Sequence, residues 1–308
     1  MKILHISLGK HQVAQSEALK AISSSYAKID WTEYPHTLGH EIDKVLKVMQ
    51  PDLTFMQIQT PEIITPWILK KIPGFKINWT GDVRSPIPDW YKEVAPYVSI
   101  TCFSNLTDVI EFNNLGFHSR FLNIGFENHI FQPKGPKFPS SANTYPHDVV
   151  FMGNNYVDRF PLSALRTQMV EALKDKAWIL GKRWGPGVND VNNNPHVEAQ
   201  IYRGSKIAIN LSHFEYIRYT SDRLFRIMAC GTFCLSHHYP GIEYDFEVGR
   251  HLDTWTTLEE LSDKIDYYLK NERLRNIIAK QGCIEVHENH TWKHRVQDIL
   301  GMKYESSN

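Results

Sequence analysis

The chain has 308 residues, of which 42% are hydrophobic and 22% are charged, which predicts a folded chain of two domains and excludes a disordered one. Lysine plus arginine and aspartate plus glutamate each number 34, so no basic surplus indicates nucleic acid or anionic membrane as a partner. The apolar run Ile3 to Leu8 is too short for a signal peptide or a membrane span. Four cysteines without metal-ligand spacing suit buried free thiols, and we expect a cytoplasmic protein.

The first part of the chain predicts a Rossmann-like domain. Four short apolar runs are typical of buried strands: Lys2 to Ser7, Leu53 to Ile58, Lys76 to Trp79 and Val98 to Phe103. Gly9 follows the first run and precedes a helical pattern, and a strand, a glycine turn and a helix form the opening of such a domain. Because ligands bind at strand ends in these sheets, the loops that follow the runs are candidate sites.

A proline-rich stretch divides the chain. Pro133 to Pro146 contains four prolines among small and polar residues, which predicts a linker. The run His147 to Met152 then predicts the first strand of a second domain. We expect a first domain at residues 1–133, a linker at 134–146, a second domain at 147–290, and a terminal helix with its tail at 291–308.

The segment from Thr220 to Phe246 predicts a helix, a buried strand, a turn and a second short helix. Ser221 is a good N-cap for the first helix, and Gly231 can take the left-handed conformation that ends it. The open N-terminus presents backbone N–H groups and the hydroxyls of a Thr-Ser pair, where phosphates of a ligand bind. We therefore expect a phosphate site at the start of this helix.

This segment closely resembles the donor-site segment of GT-B glycosyltransferases, in particular the spore-maturation-protein-like (CgeB-like) group. Their pattern S-x-R-x-F-E-I-x-A-C-G, followed by P-G-x-E-x-x-F, is matched at Ser221, Arg223, Phe225, Ile227, Ala229, Cys230, Gly231, Pro240, Gly241, Glu243 and Phe246. Asn123 to Pro133 also resembles the crossover that leaves the first domain of these enzymes. The resemblance implies an α/β GT-B fold, in which two Rossmann-like domains face each other across a cleft and the C-terminal helix crosses back to the first domain.

The resemblance also implies that the second domain binds a nucleotide sugar, most simply a UDP-sugar as co-substrate, with no other cofactor and no metal. A glycine loop after the strand would lie beside the diphosphate, and the loop at residues 182–185 would hold the nucleobase. The donor-binding residues implied in this way are Gly153, Asn154, Asn155, Arg159, Lys182, Arg183, Trp184, Tyr219, Thr220, Ser221, Arg223, Arg226 and Glu243.

Arg226 departs from the family pattern. Related enzymes carry an acidic residue here that holds the ribose hydroxyls of the nucleotide sugar, and arginine cannot accept a hydrogen bond from a hydroxyl. We expect Arg226 to contact a phosphate or a different donor instead. The departure also permits a protein that has lost activity and only binds nucleotide sugars.

Asp82 is the preferred candidate for the catalytic base. A glycosyl transfer by direct displacement needs a carboxylate or a histidine to take the proton from the acceptor hydroxyl, and Asp82 follows a buried strand. An Asx turn, or a pairing of Asp82 with Arg84, is the structural alternative. The resemblance makes the first loop, together with this one, the acceptor side; the acceptor-binding candidates are Gly9, Lys10, His11 and Arg84.

The sequence therefore predicts a metal-independent glycosyltransferase that moves a sugar from a nucleotide sugar to an acceptor hydroxyl. The acceptor is a glycan, a protein or modified DNA. One alternative is a bacteriophage enzyme that glycosylates hydroxymethylated pyrimidines in DNA, in the host cytoplasm, although a formal net charge of +0 gives this DNA-modification reading no support. The second alternative is the inactive nucleotide-sugar-binding protein.

Overall fold

The computed structural model describes residues 1–9, 12–137, 148–185 and 194–305. The chain forms two compact units, the first made of Met1–Gly125 with Trp292–Asn308, and the second of Phe126–Thr291. The first boundary falls eight residues before the predicted one, and most of the predicted linker lies outside the described residues. No helix in the described ranges combines the length and the apolar character needed to cross a bilayer.

Each unit alternates strands with helices, as expected for α/β proteins. The strands are β1 (Lys2–Ser7), β2 (Ser25–Asp30), β3 (Leu53–Met56), β4 (Phe75–Thr80), β5 (Ile100–Phe103), β6 (Ser119–Phe121), β7 (Val149–Met152), β8 (Trp178–Leu180), β9 (Ile207–Asn210), β10 (Phe233–His237) and β11 (Asp253–Trp255). The helices are α1 (Val13–Ala21), α2 (Leu38–Val48), α3 (Pro66–Lys71), α4 (Asp89–Val94), α5 (Leu106–Asn114), α6 (Ser163–Leu173), α7 (Pro195–Gly204), α8 (Asp222–Ala229), α9 (Leu258–Lys270), α10 (Glu272–Asn289) and α11 (Trp292–Glu305).

The first unit is built on a parallel sheet with the order β2-β1-β3-β4-β5-β6. Its strands are short apolar runs because helices cover both faces of the sheet. In β1, Ile3 belongs to the core on one face, whereas Leu4 and Ile6 belong to the core on the other. This is the alternation that the strand geometry dictates.

The second unit contains a parallel sheet with the order β11-β10-β9-β7-β8. Its core includes Phe151 on β7, Phe233 on β10 and Trp255 on β11, all fully buried. The predicted α/β class, with two Rossmann-like parallel-sheet units, is therefore confirmed.

The chain leaves the first unit and returns to it at neighbouring residues. Trp292, the first residue of α11, packs edge-on against Trp79 at 5.1 Å between ring centroids. A Cβ on Gly125 would lie 2.7 Å from the Trp292 backbone nitrogen, so only glycine fits there. Within the second unit, Phe126 and Thr291 form a parallel bridge.

His5 is a buried ring on β1 whose two nitrogens are both used. Gln15 Oε1 can only accept, so His5 Nε2 carries the proton and donates to it at 3.0 Å. His5 Nδ1 then accepts from the Tyr26 hydroxyl at 2.8 Å. Burial, together with the charge of Lys28, lowers the pKa of His5 to about 3. The folded first unit therefore keeps this ring neutral down to acidic pH.

We expect His5 to weaken the fold as the pH falls. The unfolded chain takes up a proton at His5 near pH 6.5 and the folded chain only near pH 3, so at pH 5 this group costs about 2 kcal/mol of unfolding free energy. In urea denaturation at pH 7, 6 and 5, His5→Gln should lose stability less steeply than the wild type. Leu4→Ala, a buried change without a titratable group, should run parallel to the wild type. Parallel curves for His5→Gln would contradict the assignment.

Candidate functional site

A pocket opens in the second unit where its central strands end. It has a volume of about 250 Å³ and is lined by residues that follow β7 and β8 and by residues of α7 and α8. Since β7 lies between β8 and β9, the strand order reverses here, and open parallel sheets bind ligands at such a point. The lining residues are Met152, Gly153, Asn154, Tyr156, Leu180, Gly181, Glu198, His213, Asp222, Arg223 and Arg226.

Two guanidiniums, those of Arg166 on α6 and Arg223 on α8, lie together at this pocket. Arg166 is 1% exposed, and its Nη1 donates to the Leu211 carbonyl at 2.6 Å. Its Nη2 donates to the Asn154 carbonyl at 3.1 Å, while Arg223 Nη1 donates to the Leu211 carbonyl at 3.2 Å. Both guanidiniums lie near the Phe151 ring, with Cζ 5.0 and 5.7 Å from its centroid. Backbone carbonyls and one aromatic face thus hold both charges.

Among the described residues, no carboxylate lies within ion-pair distance of either guanidinium, although Glu198 interacts with Arg223 at longer range. The other partners of Arg223 are Ser221 Oγ at 3.2 Å and Asn210 Oδ1 at 3.5 Å. Burial and the charge of Arg223 lower the pKa of Arg166, and within the described ranges Arg166 Nε has no hydrogen-bond partner. Two neighbouring guanidiniums that form no ion pair favour an anionic ligand, and guanidiniums match phosphate oxygens in geometry.

His213 lies beside the arginine pair. Burial, followed by the charges of Arg166 and Arg223, lowers its pKa to about 3, so the ring is neutral near pH 7. Its centroid is 4.9 Å from that of Tyr156 and 4.8 Å from that of Phe160. His213 Nδ1 is buried without a hydrogen-bond partner in the part of the chain described. The pocket therefore contains a neutral polar group, His213 Nδ1, beside the guanidiniums of Arg166 and Arg223.

Residue 153 must be glycine because of the arginine pair. A Cβ there would lie 2.3 Å from Arg166 Nη2 and 3.2 Å from Arg223 Nη2. The Gly153 carbonyl is fixed from the next loop, since Trp184 Nε1 donates to it at 2.5 Å. The backbone at Gly153 thus approaches the guanidiniums closely and is held in place by the loop after β8.

The start of α8 is partly occupied by internal hydrogen bonds. Ser221 is its N-cap residue, as predicted, but the Ser221 N–H donates to Ser212 Oγ at 3.2 Å, and Ser221 Oγ accepts from Arg223. Thr220 is 2% exposed, and its Oγ1 accepts from Asn210 Nδ2 at 3.4 Å. That these two amides hold a diphosphate remains a prediction, and Arg223 Nη1 lies 3.2 Å from the Ser221 hydroxyl oxygen.

Arg226 also lines the pocket and is surrounded by carboxylates. Its Nη2 lies 2.9 Å from Asp222 Oδ2 and 3.2 Å from Glu127 Oε2, and its Nη1 lies 3.4 Å from Glu198 Oε2. Burial lowers the pKa of Arg226, but the three carboxylates outweigh burial and raise it, so the guanidinium stays charged. It also lies over the Phe131 ring, with Cζ 4.9 Å from the centroid.

Four of the predicted donor residues reach the pocket: Gly153, Asn154, Arg223 and Arg226. The predicted donor residues outside its lining are Asn155, Arg159, Lys182, Arg183, Trp184, Tyr219, Thr220, Ser221 and Glu243. Arg159 is exposed, with its guanidinium 5.3 Å from the Phe160 ring centroid. Glu243 has a side chain that is 62% exposed and lies 3.1 Å from His238 Nε2.

Seven lining residues were not among the predicted site residues: Met152, Tyr156, Leu180, Gly181, Glu198, His213 and Asp222; Arg166, which packs against Gly153, was not predicted either. One signal was available for Arg166. It shares the buried face of α6 with Met169 and Leu173, and a charged residue in that register needs an explanation. Glu198 has the same kind of signal, because Tyr202, one turn later on α7, is buried.

The predicted catalytic base, Asp82, lies in the first unit in the loop after β4. Its side chain is 65% exposed, and its Oδ2 lies 3.5 Å from Arg84 Nη2. The Thr80 hydroxyl accepts from the Asp82 N–H at 3.1 Å and from Arg84 Nε at 3.3 Å. The buried Asp108 carboxylate accepts the backbone N–H groups of Arg84 at 2.7 Å and Ser85 at 2.9 Å. Helix α5 therefore fixes the loop that carries Asp82.

The predicted acceptor residues are all in the first unit. Gly9 is buried, and its N–H donates to Ser7 Oγ at 3.2 Å. Arg84 has its Cζ 5.8 Å from the Tyr91 ring centroid, and its side chain is 17% exposed. Lys10 and His11 lie outside the described residues. Their part in acceptor binding stays a prediction.

Residues 165–301 match a family model described as "Glycosyl transferase-like". The matched region covers less than half of the chain and includes α6, α7 and α8, which carry the charged side chains of the pocket. No curated protein shows a significant sequence match. The match supports a glycosyltransferase-like second unit.

Solved structures of glycosyltransferases share the whole fold. HepE from Anabaena, in complex with UDP and glucose, has a TM-score of 0.66 at 13% identity, covering 98% of both chains. Sucrose-phosphate synthase from Thermosynechococcus elongatus has a TM-score of 0.64 at 11% identity, covering 99% of this chain and 98% of the other. A glycosyltransferase from Rickettsia africae has a TM-score of 0.59 at 14% identity, covering 100% and 90%. At these identities the likeness shows the GT-B fold.

We expect Gly153→Ala to destabilise the second unit and to weaken anion binding. The new methyl group would displace the Arg166 guanidinium, which is buried and bonded to two carbonyls, and overpacking of this kind costs roughly 1–3 kcal/mol. Thermal unfolding and UDP titration measure the two effects. Gly301→Ala is the control, because a Cβ at this helical glycine meets nothing within 4 Å. An unchanged melting temperature and UDP affinity in Gly153→Ala would contradict the close packing.

Proposed function

We propose that this protein is a glycosyltransferase that moves a sugar from a nucleotide-sugar donor to an acceptor hydroxyl. The observation that carries the proposal is a pair of neighbouring guanidiniums at the carboxyl end of the second sheet, that of Arg166, which is buried, and that of Arg223, which is half-buried. The family match over residues 165–301 and the GT-B fold agree with it. The CgeB-like group remains our proposal for the subtype.

UDP-sugars are the donors that we propose. Structures of HepE, which shares this fold, are in complex with UDP and with UDP-glucose. A nucleoside diphosphate carries the two features that the pocket would recognise, a diphosphate for the arginine pair and a sugar diol for a carboxylate. The donor would therefore occupy the pocket at the ends of β7 and β8.

The arginine pair would act on the leaving group. As the bond between the sugar's anomeric carbon and the diphosphate oxygen breaks, negative charge develops on that oxygen, and fixed positive charges in a desolvated site stabilise it. Arg166 is held by two carbonyls before the ligand arrives, so little reorganisation is needed. We propose that these two side chains, without a metal ion, supply the charge, and that Arg166 takes the place expected for Arg159.

Asp82 remains our proposed general base, taking the proton of the acceptor hydroxyl as that oxygen attacks the anomeric carbon. Its exposed carboxylate can meet a hydroxyl, and its loop is fixed by Asp108. We propose a glycan, a protein or modified DNA as the acceptor. The balanced charge of the chain gives DNA no electrostatic preference.

The direct test is release of UDP from UDP-sugars, with and without EDTA. The wild type should release UDP at the same rate in EDTA, and Arg223→Ala should bind UDP roughly tenfold to a hundredfold more weakly, the loss expected for charge-assisted hydrogen bonds. Arg250→Ala is the matched control, because this arginine of the same unit is 58% exposed and pairs with Glu247. No UDP release and no UDP binding by the wild type would refute the proposed function.

Asp82→Asn tests the general base. Turnover of the donor, to an acceptor or to water, should fall roughly 10²- to 10⁴-fold, since asparagine keeps the shape but cannot take a proton. The melting temperature should not change, because the Asp82 side chain is largely exposed. Asp89→Asn, an exposed residue of the same unit paired with Lys92, is the control. Turnover equal to that of the wild type would assign Asp82 to the structural alternative, its pairing with Arg84.

A further inference from the structure

The pocket contains guanidiniums, which donate hydrogen bonds, and a carboxylate, which accepts them. Arg166 and Arg223 present hydrogen-bond donors, and Arg166 Nε is buried without a partner among the described residues. Glu198 presents only acceptors when it is ionised. A ligand that satisfies both kinds must carry an anionic group and hydroxyl donors in one molecule. Phosphate alone supplies only the first.

Glu198 is the more shielded of the two carboxylates that line the pocket, so a hydrogen bond to it competes less with water than one to Asp222. It lines the pocket, and its side chain is 16% exposed, compared with 42% for Asp222. Glu127, the third carboxylate around Arg226, is not part of the pocket lining. Burial raises the pKa of Glu198, and the charge of Arg226 opposes that rise. Glu198 therefore combines access to the ligand with a fixed counter-charge.

Arg226 is engaged with carboxylates and holds Glu198 in place. Its Nη2 lies 2.9 Å from Asp222 Oδ2 and 3.2 Å from Glu127 Oε2, and its Nη1 lies 3.4 Å from Glu198 Oε2. Phe131 covers the guanidinium, which restricts its movement. The three carboxylates bond to the two terminal nitrogens of Arg226, and its Nε has no hydrogen-bond partner among the described residues. The effect of Arg226 on a ligand is then to orient Glu198.

We propose that Glu198 accepts hydrogen bonds from the ribose hydroxyls of the nucleotide, and that Arg226 is the residue that positions it. The inference rests on the proposed function, since it assigns one contact within the proposed donor pocket. A carboxylate can accept from both hydroxyls of a vicinal diol, so the site would distinguish a ribonucleotide from its 2′-deoxy form. A hydroxyl-accepting group absent from position 226 on α8 is thereby supplied from α7.

Calorimetric titration with UDP and with 2′-deoxy-UDP tests the proposal. The wild type should bind UDP about tenfold or more tightly than 2′-deoxy-UDP, as expected for the loss of a hydrogen bond to a charged group. In Glu198→Ala this preference should disappear. In Glu198→Gln, which keeps the shape and one acceptor oxygen, it should fall to an intermediate value. Arg226→Lys, which loses the planar fork, should also lower the ratio.

Glu127→Ala is the matched control, because it removes a carboxylate from the same guanidinium without touching the pocket lining. It should keep the full preference for UDP. Equal wild-type affinities for the two nucleotides, or an unchanged preference in the Glu198 variants, would overturn the inference and leave donor binding intact. An equal loss of preference in Glu127→Ala and Glu198→Ala would overturn it as well. Absence of UDP binding by the wild type would overturn the proposed function together with it.

Discussion

The guanidiniums of Arg166, which is buried, and Arg223, which is half-buried, pack beside Gly153, and this packing is the constraint on which the second unit depends. Arg166 and Arg223 share the Leu211 carbonyl and the Phe151 ring, and any side chain at Gly153 would displace them. Their mutual repulsion opposes folding unless carbonyl dipoles and an aromatic face offset it. An anion would complete the compensation.

The carboxylates around Arg226 show how a charged side chain is accommodated inside the second unit. An arginine in this register would leave a buried charge alone, and an unpaired buried charge is strongly destabilising. Here Asp222 on α8, Glu198 on α7 and Glu127 near the start of the second unit supply three counter-charges. Two of these carboxylates, Asp222 and Glu198, also line the pocket.

The sequence predicts the sheet centres well because strands buried on both faces must be apolar runs. The predicted runs coincide with β1, β3, β4, β5, β7 and β10, which are all interior strands of the two sheets. It does not predict β2, an edge strand whose residues, from Ser25 to Asp30, are mostly half-buried or exposed. The start of α8 is predicted because Ser221 is an N-cap residue, and the sequence signal there is local.

The candidate site is predicted less completely, because its charged groups come from three helices. Arg159 stands at a spacing from Gly153 that suits a phosphate loop, whereas the arginine that packs against that glycine is Arg166, one turn inside α6. The register of α6 against β7 determines which arginine side chain reaches Gly153. No sequence motif includes Glu198, because its contact with Arg226 joins two different helices and depends on how they pack.

Gly125 and Trp292, the residues at which the chain leaves the first unit and re-enters it, lie in close contact. Because these two residues already touch, joining them directly would close the first unit around its last helix with no bridging peptide. Phe126 and Thr291 form a parallel β-bridge, so the two ends of the unit at residues 126–291 lie side by side. Its topology is that of a domain inserted into a host, and such a module is suited to transfer or to circular permutation as a single block.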